Sequence, residues 1–239
     1  MKILSLDSSA TVASVALTED GRLLAEFTLN NGNTHSETLL PMVETILRTY
    51  GVTVDGIDVF AATTGPGSFT GVRIGAATIK GLAFSTDKPC VEVSTLEAIA
   101  ENLACRDGLI CPVMNARRSQ VYTSLFRAEG GILTRLMPDS ALSIEELDGI
   151  LSAYGEPVSF AGDGYSITVE ALKKTAHTPT PERLRHQSAA SVAAVAYRKA
   201  MAEETVSDKE MKVTYLRPSQ AERTRLEKEK INKEKEKEK

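Results

Sequence analysis

The chain has 239 residues, with 42% hydrophobic and 25% charged side chains, a globular balance that excludes a fibrous or fully disordered polypeptide. No apolar run approaches the ~20 residues of a membrane-spanning helix, and Asp7 interrupts the apolar start MKILSLDSSA before a signal-peptide core can form, so a cytoplasmic protein is expected. Residues 221–239 carry eight Lys/Arg and six Asp/Glu, net +2; from chain totals of 28 and 32 this leaves 20 and 26, net −6, on residues 1–220, which makes that body a poor lone binder of tRNA or DNA.

The first 30 residues predict three strands, at 3–7, 12–17 and 23–29, split by polar turns into an antiparallel meander. The first turn carries Asp7, Ser8 and Ser9. Thr34-His35-Ser36-Glu37 fits a capping box, and Leu39, Leu40, Val43, Ile46, Leu47 and Tyr50 then recur at helical spacing, with Pro41 as an expected kink and Gly51 as the stop. A strand at 57–63, a glycine loop, a helix at 71–86, a strand at 90–93 and a short helix at 95–104 follow. LICPVMNA (109–116) and VYTSLF (121–126) read as a hairpin around Arg117–Ser119. Residues 127–157 offer a helix at 143–152 and little else. PVSFAGDG (157–164) is a strand running into a turn, followed by helices at 165–173 and 188–203. Cys90, Cys105 and Cys111, odd in number and without C-x-x-C spacing, argue against a disulfide framework and a zinc site. The absence of tryptophan disfavours base-stacking platforms. The tail EKEKINKEKEKEK reads as a solvated segment, either a frayed helix with Glu–Lys pairs or disordered chain.

The expected organisation is an N-terminal lobe at 1–105, holding the meander and the glycine-loop helix, and a C-terminal lobe at 106–220. The last helix packs back on the first lobe, and the charged low-complexity tail occupies 221–239. No linker-like stretch separates the lobes, so tight contact between them is expected.

The loop ATTGPGSFTGVRIG (62–75) has the strand–turn–helix layout of a phosphate cradle. It matches neither standard template. Gly65 and Gly71 are one residue too far apart for a Walker loop, and Val72 stands where its lysine belongs. Gly65, Gly67 and Gly71 space as G-x-G-x-x-x-G, not G-x-G-x-x-G. The plain alternative is a glycine turn into a helix capped by Ser68 or Thr70. That helix is bare, with Gly71, Gly75, Ala76 and Gly81 among Val72, Ile74, Ile79 and Leu82. Small residues permit close approach of another helix, and the apolar neighbours would bury it. Internal packing alone is the competing reading.

Five stretches carry a resemblance: DSSATVASVAL (7–17), HSETLLP (35–41), GPGSFTGVRIG (65–75), NARRSQVY (115–122) and YLRPSQAER (215–223). Together they resemble the TsaB (YeaZ) family, a partner subunit of the bacterial machinery that makes threonylcarbamoyladenosine in tRNA. The resemblance covers residues 1 to about 220. It implies an α/β, actin-like or sugar-kinase-like fold with two related lobes. In catalytic members of that superfamily, the turn after the first strand carries an aspartate near the phosphates. Asp7, Ser8, Ser9, Gly67, Ser68 and Thr70 are therefore vestigial nucleotide-loop candidates, with a structural turn as the alternative. The resemblance also implies an intersubunit helix bundle with the catalytic relative TsaD. This makes His35, Leu39, Val43, Gly71, Val72, Gly75 and Ile79 partner-interface candidates, on a surface that also suits a homodimer of the isolated chain.

TsaD binds metal through two histidines at i and i+4 of a helix. Thr95 and Ile99 stand at the matching positions here, and His177 and His186 lie far along the chain in a Pro-rich stretch. The resemblance thus implies a subunit with no catalytic residues, no metal and no intrinsic cofactor. ATP or ADP is admitted only in the assembled complex. The partners are TsaD, the ATPase TsaE and, through the complex, tRNA. Two readings stay open beside it: an independent ATPase or kinase using Asp7 and the 68–70 loop, and a metallopeptidase. Asp163 between Gly162 and Gly164 fits a tight turn, Asn115 replaces an aspartate expected at that position, and Arg117–Arg118 is a basic pair on a turn facing solvent, tRNA or a partner.

Overall fold

Alternation of apolar and polar residues, broken by short polar turns, builds the start of the chain into an antiparallel meander. β1 (Lys2–Asp7) pairs with β2 (Ala13–Glu19), Leu4 opposite Leu17. β2 pairs with β3 (Arg22–Leu29), Val15 opposite Phe27, with a bulge at Leu17/Thr18. β1 and β2 are almost wholly buried, whereas β3 is an exposed edge. β4 (Val59–Gly65) and β5 (Cys90–Ser94) add in parallel, giving the order β3-β2-β1-β4-β5. The computed structural model describes residues 1–32 and 34–217. The charged tail and the 218–223 part of YLRPSQAER lie outside the described residues.

α1 (His35–Tyr50) and α2 (Phe69–Thr86) cover one face of this sheet. Leu39, Met42, Val43 and Ile46 of α1 and Ile79 of α2 join Leu4, Leu6, Val15 and Phe60 in one core. α1 runs through Pro41 and ends at Gly51 in the left-handed region. The expected capping box is corrected here. Thr34 makes no side-chain cap, and Glu37 N–H instead donates to the Thr34 carbonyl at 3.1 Å. At α2 the Ser68 hydroxyl does cap, accepting from Gly71 N–H at 3.2 Å.

The second half repeats the plan. β6 (Gly108–Asn115), β7 (Gln120–Glu129) and β8 (Ile132–Ser143) form a meander, and β9 (Val158–Ala161) and β10 (His177–Thr178) add in parallel to β6. The order β10-β9-β6-β7-β8 is the mirror listing of the first sheet, strand for strand. α4 (Ile144–Ser152) and α5 (Tyr165–Ala171) stand where α1 and α2 stand in the first lobe. Two lobes of the same topology make this the actin-like, sugar-kinase-like α/β fold.

The last helix of each lobe packs across the junction. α3 (Thr95–Glu101) sets Leu96 and Ile99 against Ile110, Met114 and Phe126 of the second sheet. α6 (Ala189–Met201) sets Val192, Val195 and Ala196 against Ile3, Val59, Ala61 and Val91 of the first. The start of α6 is held there by the Glu26 carboxylate, which accepts from Ser188 Oγ at 2.7 Å and Ala190 N–H at 3.1 Å. Buried Cys90 and Cys111 sit in different sheets, their thiols pushed up to about 11 and about 12 by burial.

β8 and β10 were not expected from the sequence. β8 is a half-exposed edge strand containing Pro138, with two register irregularities against β7, so its period-two pattern is broken. α4 carries a true capping box, Ser143 with Glu146. Asp148, buried on the same helix, accepts from the backbone N–H groups of Lys173 at 2.9 Å, Lys174 at 3.0 Å and Thr175 at 2.9 Å. Burial opposes its charge, yet these bonds hold its carboxyl below the ordinary range. Its contribution is therefore present above the unfolded-state value near ~3.9 and is lost as pH falls through the lower folded-state value. Asp148→Ala is expected to lower stability at pH 7 by about 3 kcal/mol, because it strands three donors. In urea titrations the gap from the parent protein should close as the pH is taken below about 4.

Candidate functional site

Two features of the surface are candidates, and the same loop positions both. β4 runs into Gly65-Pro66-Gly67, which turns the chain under the β1–β2 turn and launches α2. Ser68 N–H donates to the Ser9 carbonyl at 2.7 Å. Gly71 and Gly75 then let α2 lie directly on that turn. A Cβ at Gly71 would sit 2.0 Å from the Ser8 carbonyl oxygen, and one at Gly75 would sit 2.5 Å from Ser8 Oγ. Ser8 Oγ donates to the Gly71 carbonyl at 2.9 Å.

The first feature is the cleft between the lobes, with a volume of about 630 Å³. Ser9, Gly67, Ser68 and Thr70 line its first-lobe wall; Asn115 and Arg117 line the second. Asp7 and Ser8 lie behind that wall, 0% and 1% exposed. Asp7 Oδ1 accepts from Ser9 N–H at 2.8 Å and Ser9 Oγ at 2.7 Å, while Oδ2 has no hydrogen-bond partner among the described residues. Burial pushes this carboxyl above its ordinary range, and the Ser9 bonds pull back against it. The Asp7 carboxylate is therefore enclosed behind the wall, while Ser9, Gly67, Ser68 and Thr70 face the cleft itself. Across the cleft, Asp163 Oδ1 accepts from Asn115 N–H at 3.1 Å, tying the ends of β9 and β6. Arg117, Arg118 and Ser119 follow one another in the left-handed region, with φ of 62°, 55° and 56°.

The second feature is the outer side of α1 and α2. Leu39, Val43, Gly71, Val72, Gly75 and Ile79 are buried inside the first lobe. His35 is half-buried, its Nε2–H donating to the Ala10 carbonyl at 2.7 Å. The face these helices offer outward belongs to their neighbours. On α2, Arg73, Ala77, Gly81 and Phe84 are exposed at spacings of three and four, Phe84 by 72%. On α1, Leu40, Glu44 and Arg48 do the same, Leu40 by 55%. Between the helices runs an apolar groove of about 670 Å³ lined by Leu40, Val43, Leu47, Val52 and Leu82. The sequence contained this stripe, but α2 is apolar or small on most of its circumference, so periodicity alone does not say which side faces out.

Thr95 and Ile99 are both 0% exposed in the junction core. Among the described residues, no three His, Cys, Asp or Glu side chains converge on a common point. No helix among them is long and apolar enough to cross a membrane.

Comparison with known proteins places this geometry. The family model described as "TsaD: tRNA N6-adenosine threonylcarbamoyltransferase" matches residues 22–225. The "tRNA threonylcarbamoyladenosine biosynthesis protein TsaB" of Bacillus subtilis is 34% identical over 72% of this chain and 76% of its own length. The Escherichia coli protein of the same name is 39% identical over 55% of this chain, which spans 58% of that relative. A tRNA N6-adenosine threonylcarbamoyltransferase from Rhizobium meliloti is 33% identical, but only 42% of its length is matched. The solved structure of "YeaZ from Pseudomonas aeruginosa" superposes with a TM-score of 0.78 at 28% identity, over 90% of this chain and 99% of that one. Match length, identity and fold agree, and the chain belongs to the TsaB (YeaZ) family.

Proposed function

We propose that this protein is a non-catalytic subunit required for threonylcarbamoyl transfer to N6 of adenosine 37 in tRNAs reading codons that begin with A. It acts by binding and supporting the catalytic TsaD subunit. The observation that carries this reading is α3. Where the catalytic relative holds its metal-binding histidines, this chain has Thr95 and Ile99, both sealed in the core. The outer side of α1 and α2 supports the other half of the reading. Small residues at Ala77 and Gly81, flanked by Leu40 and Phe84, suit close packing against helices of a partner. In this reading TsaE is the third component and tRNA is reached through the complex. ATP or ADP enters only with the assembly, which works in the cytoplasm, and the isolated chain can form a homodimer through the same face.

The test is a reconstituted tRNA-modification assay with TsaD, TsaE, threonylcarbamoyl-adenylate and substrate tRNA, run with and without this chain. Modification should need it. Unchanged modification on omission removes the protein from this reaction. ATP turnover by the purified chain, lost in Asp7→Ala, would instead favour an independent ATPase or kinase.

A further inference from the structure

The segment after α6 stays on the protein surface and crosses from one lobe to the other. Val206 bridges Cys90, with N–H to carbonyl distances of 2.8 and 2.9 Å. Met211 is buried in the first-lobe core, and its carbonyl accepts from Lys80 Nζ at 3.1 Å. Lys212 N–H donates to the Glu92 carboxylate, and Thr214 N–H donates to the Thr64 carbonyl at 2.8 Å. Gly65 makes room for this path, since a Cβ there would lie 2.3 Å from the Thr214 carbonyl oxygen. Tyr215 then lies against Phe69, ring centroids 4.8 Å apart, and its hydroxyl accepts from Arg73 Nε. The Arg73 guanidinium sits 3.7 Å from the centre of the Phe69 ring, completing a cation–aromatic stack. Finally Arg217 reaches the second lobe, donating to Gln120 Oε1 with its guanidinium 5.8 Å from the Tyr122 ring centre.

Thr214, Tyr215 and Arg217 all line the interlobe cleft. One short stretch of chain thus fastens the first sheet, the start of α2 and the β6–β7 hairpin across the mouth of that cleft. We propose that residues 211–217 are an intramolecular strap that sets the opening between the lobes, and that its release lets the lobes separate. The contacts suit a device that opens. Its first-lobe end is anchored by buried Met211 and main-chain bonds, whereas among the described residues its second-lobe end is held by one side chain, Arg217.

The test uses the full chain with spin labels on exposed Arg22→Cys and Glu145→Cys, one per lobe, in a Cys105→Ser background that removes the exposed native thiol. Pulsed dipolar measurement should give one narrow distance distribution for the otherwise unchanged chain. Tyr215→Ala combined with Arg217→Ala should broaden it and move its mean. Tyr215→Phe, which keeps the ring on Phe69, should retain the narrow form. Arg217→Ala alone cuts the cross-lobe bond without touching the Phe69 stack, and should shift the distribution in the same direction. If both the double variant and Arg217→Ala keep the original distribution, the crossed helices alone hold the lobes and the strap proposal fails.

Discussion

Gly81→Trp is expected to leave this chain folded and to weaken its capture of TsaD by about 100-fold, equivalent to about 3 kcal/mol, with a matching loss of tRNA modification. Gly81 lies on the outward stripe of α2, and nothing stands within 4 Å of a Cβ built there. A large side chain therefore starts into open space in the isolated protein. It also removes a mid-helix glycine, which costs roughly 0.8–1 kcal/mol relative to alanine, so the melting temperature should hold or rise slightly. In a helix bundle the same side chain would prop the partner helix several ångströms away, because small residues are what allow backbones to approach. Gly81→Ala adds one carbon and should bind nearly as well. Co-elution with TsaD and a modification assay decide the matter. A Gly81→Trp protein that co-elutes and modifies tRNA normally would move the interface off α2.

Gly71→Ala is expected to have the opposite profile, a large loss of stability. Its Cβ would lie 2.0 Å from the Ser8 carbonyl oxygen. That oxygen is main chain, fixed by the turn that also holds Asp7 and Ser9, and cannot rotate aside. α2 would have to back away from the β1–β2 turn, breaking the Ser8 Oγ bond to the Gly71 carbonyl at 2.9 Å. Overpacking of this severity costs about 3–4 kcal/mol, a large share of the ~5–15 kcal/mol that holds a domain together. Gly75→Ala should cost less, about 1–2 kcal/mol, since its Cβ meets the movable side chains of Ser8 and Leu6. Urea midpoints and soluble yield separate the two, and a parent-like midpoint for Gly71→Ala would mean that the turn is more pliant than its bonding indicates.

These neighbouring glycines show how far sequence reading reached. The strand–glycine–helix layout of residues 59–86, the meander before it and the capped start of α2 are local features, written in alternation, turn residues and a hydroxyl three positions before Gly71. α2 was also legible as unusually small-sided. Which glycines met the chain itself and which met solvent was not legible, because that depends on where the β1–β2 turn, some 60 residues earlier, comes to rest. β8 was missed for a related reason. Its pairing with β7 is interrupted twice and it contains Pro138, so cross-strand contacts rather than its own pattern define it.

The sequence by itself determined the family, through GPGSFTGVRIG and its companion motifs, and it determined that the helix at 95 carries no histidine pair. Those are matters of residue identity and short spacing. Only the tertiary structure decided that Asp7 is sealed away from the cleft, that α3 and α6 cross between lobes, and that residues 211–217 span the cleft mouth. Each of those depends on contacts between residues far apart in the chain, such as Glu26 with Ser188 or Arg217 with Gln120. A side chain's destination is set by what covers its face of the strand or helix, and local sequence does not record the covering element.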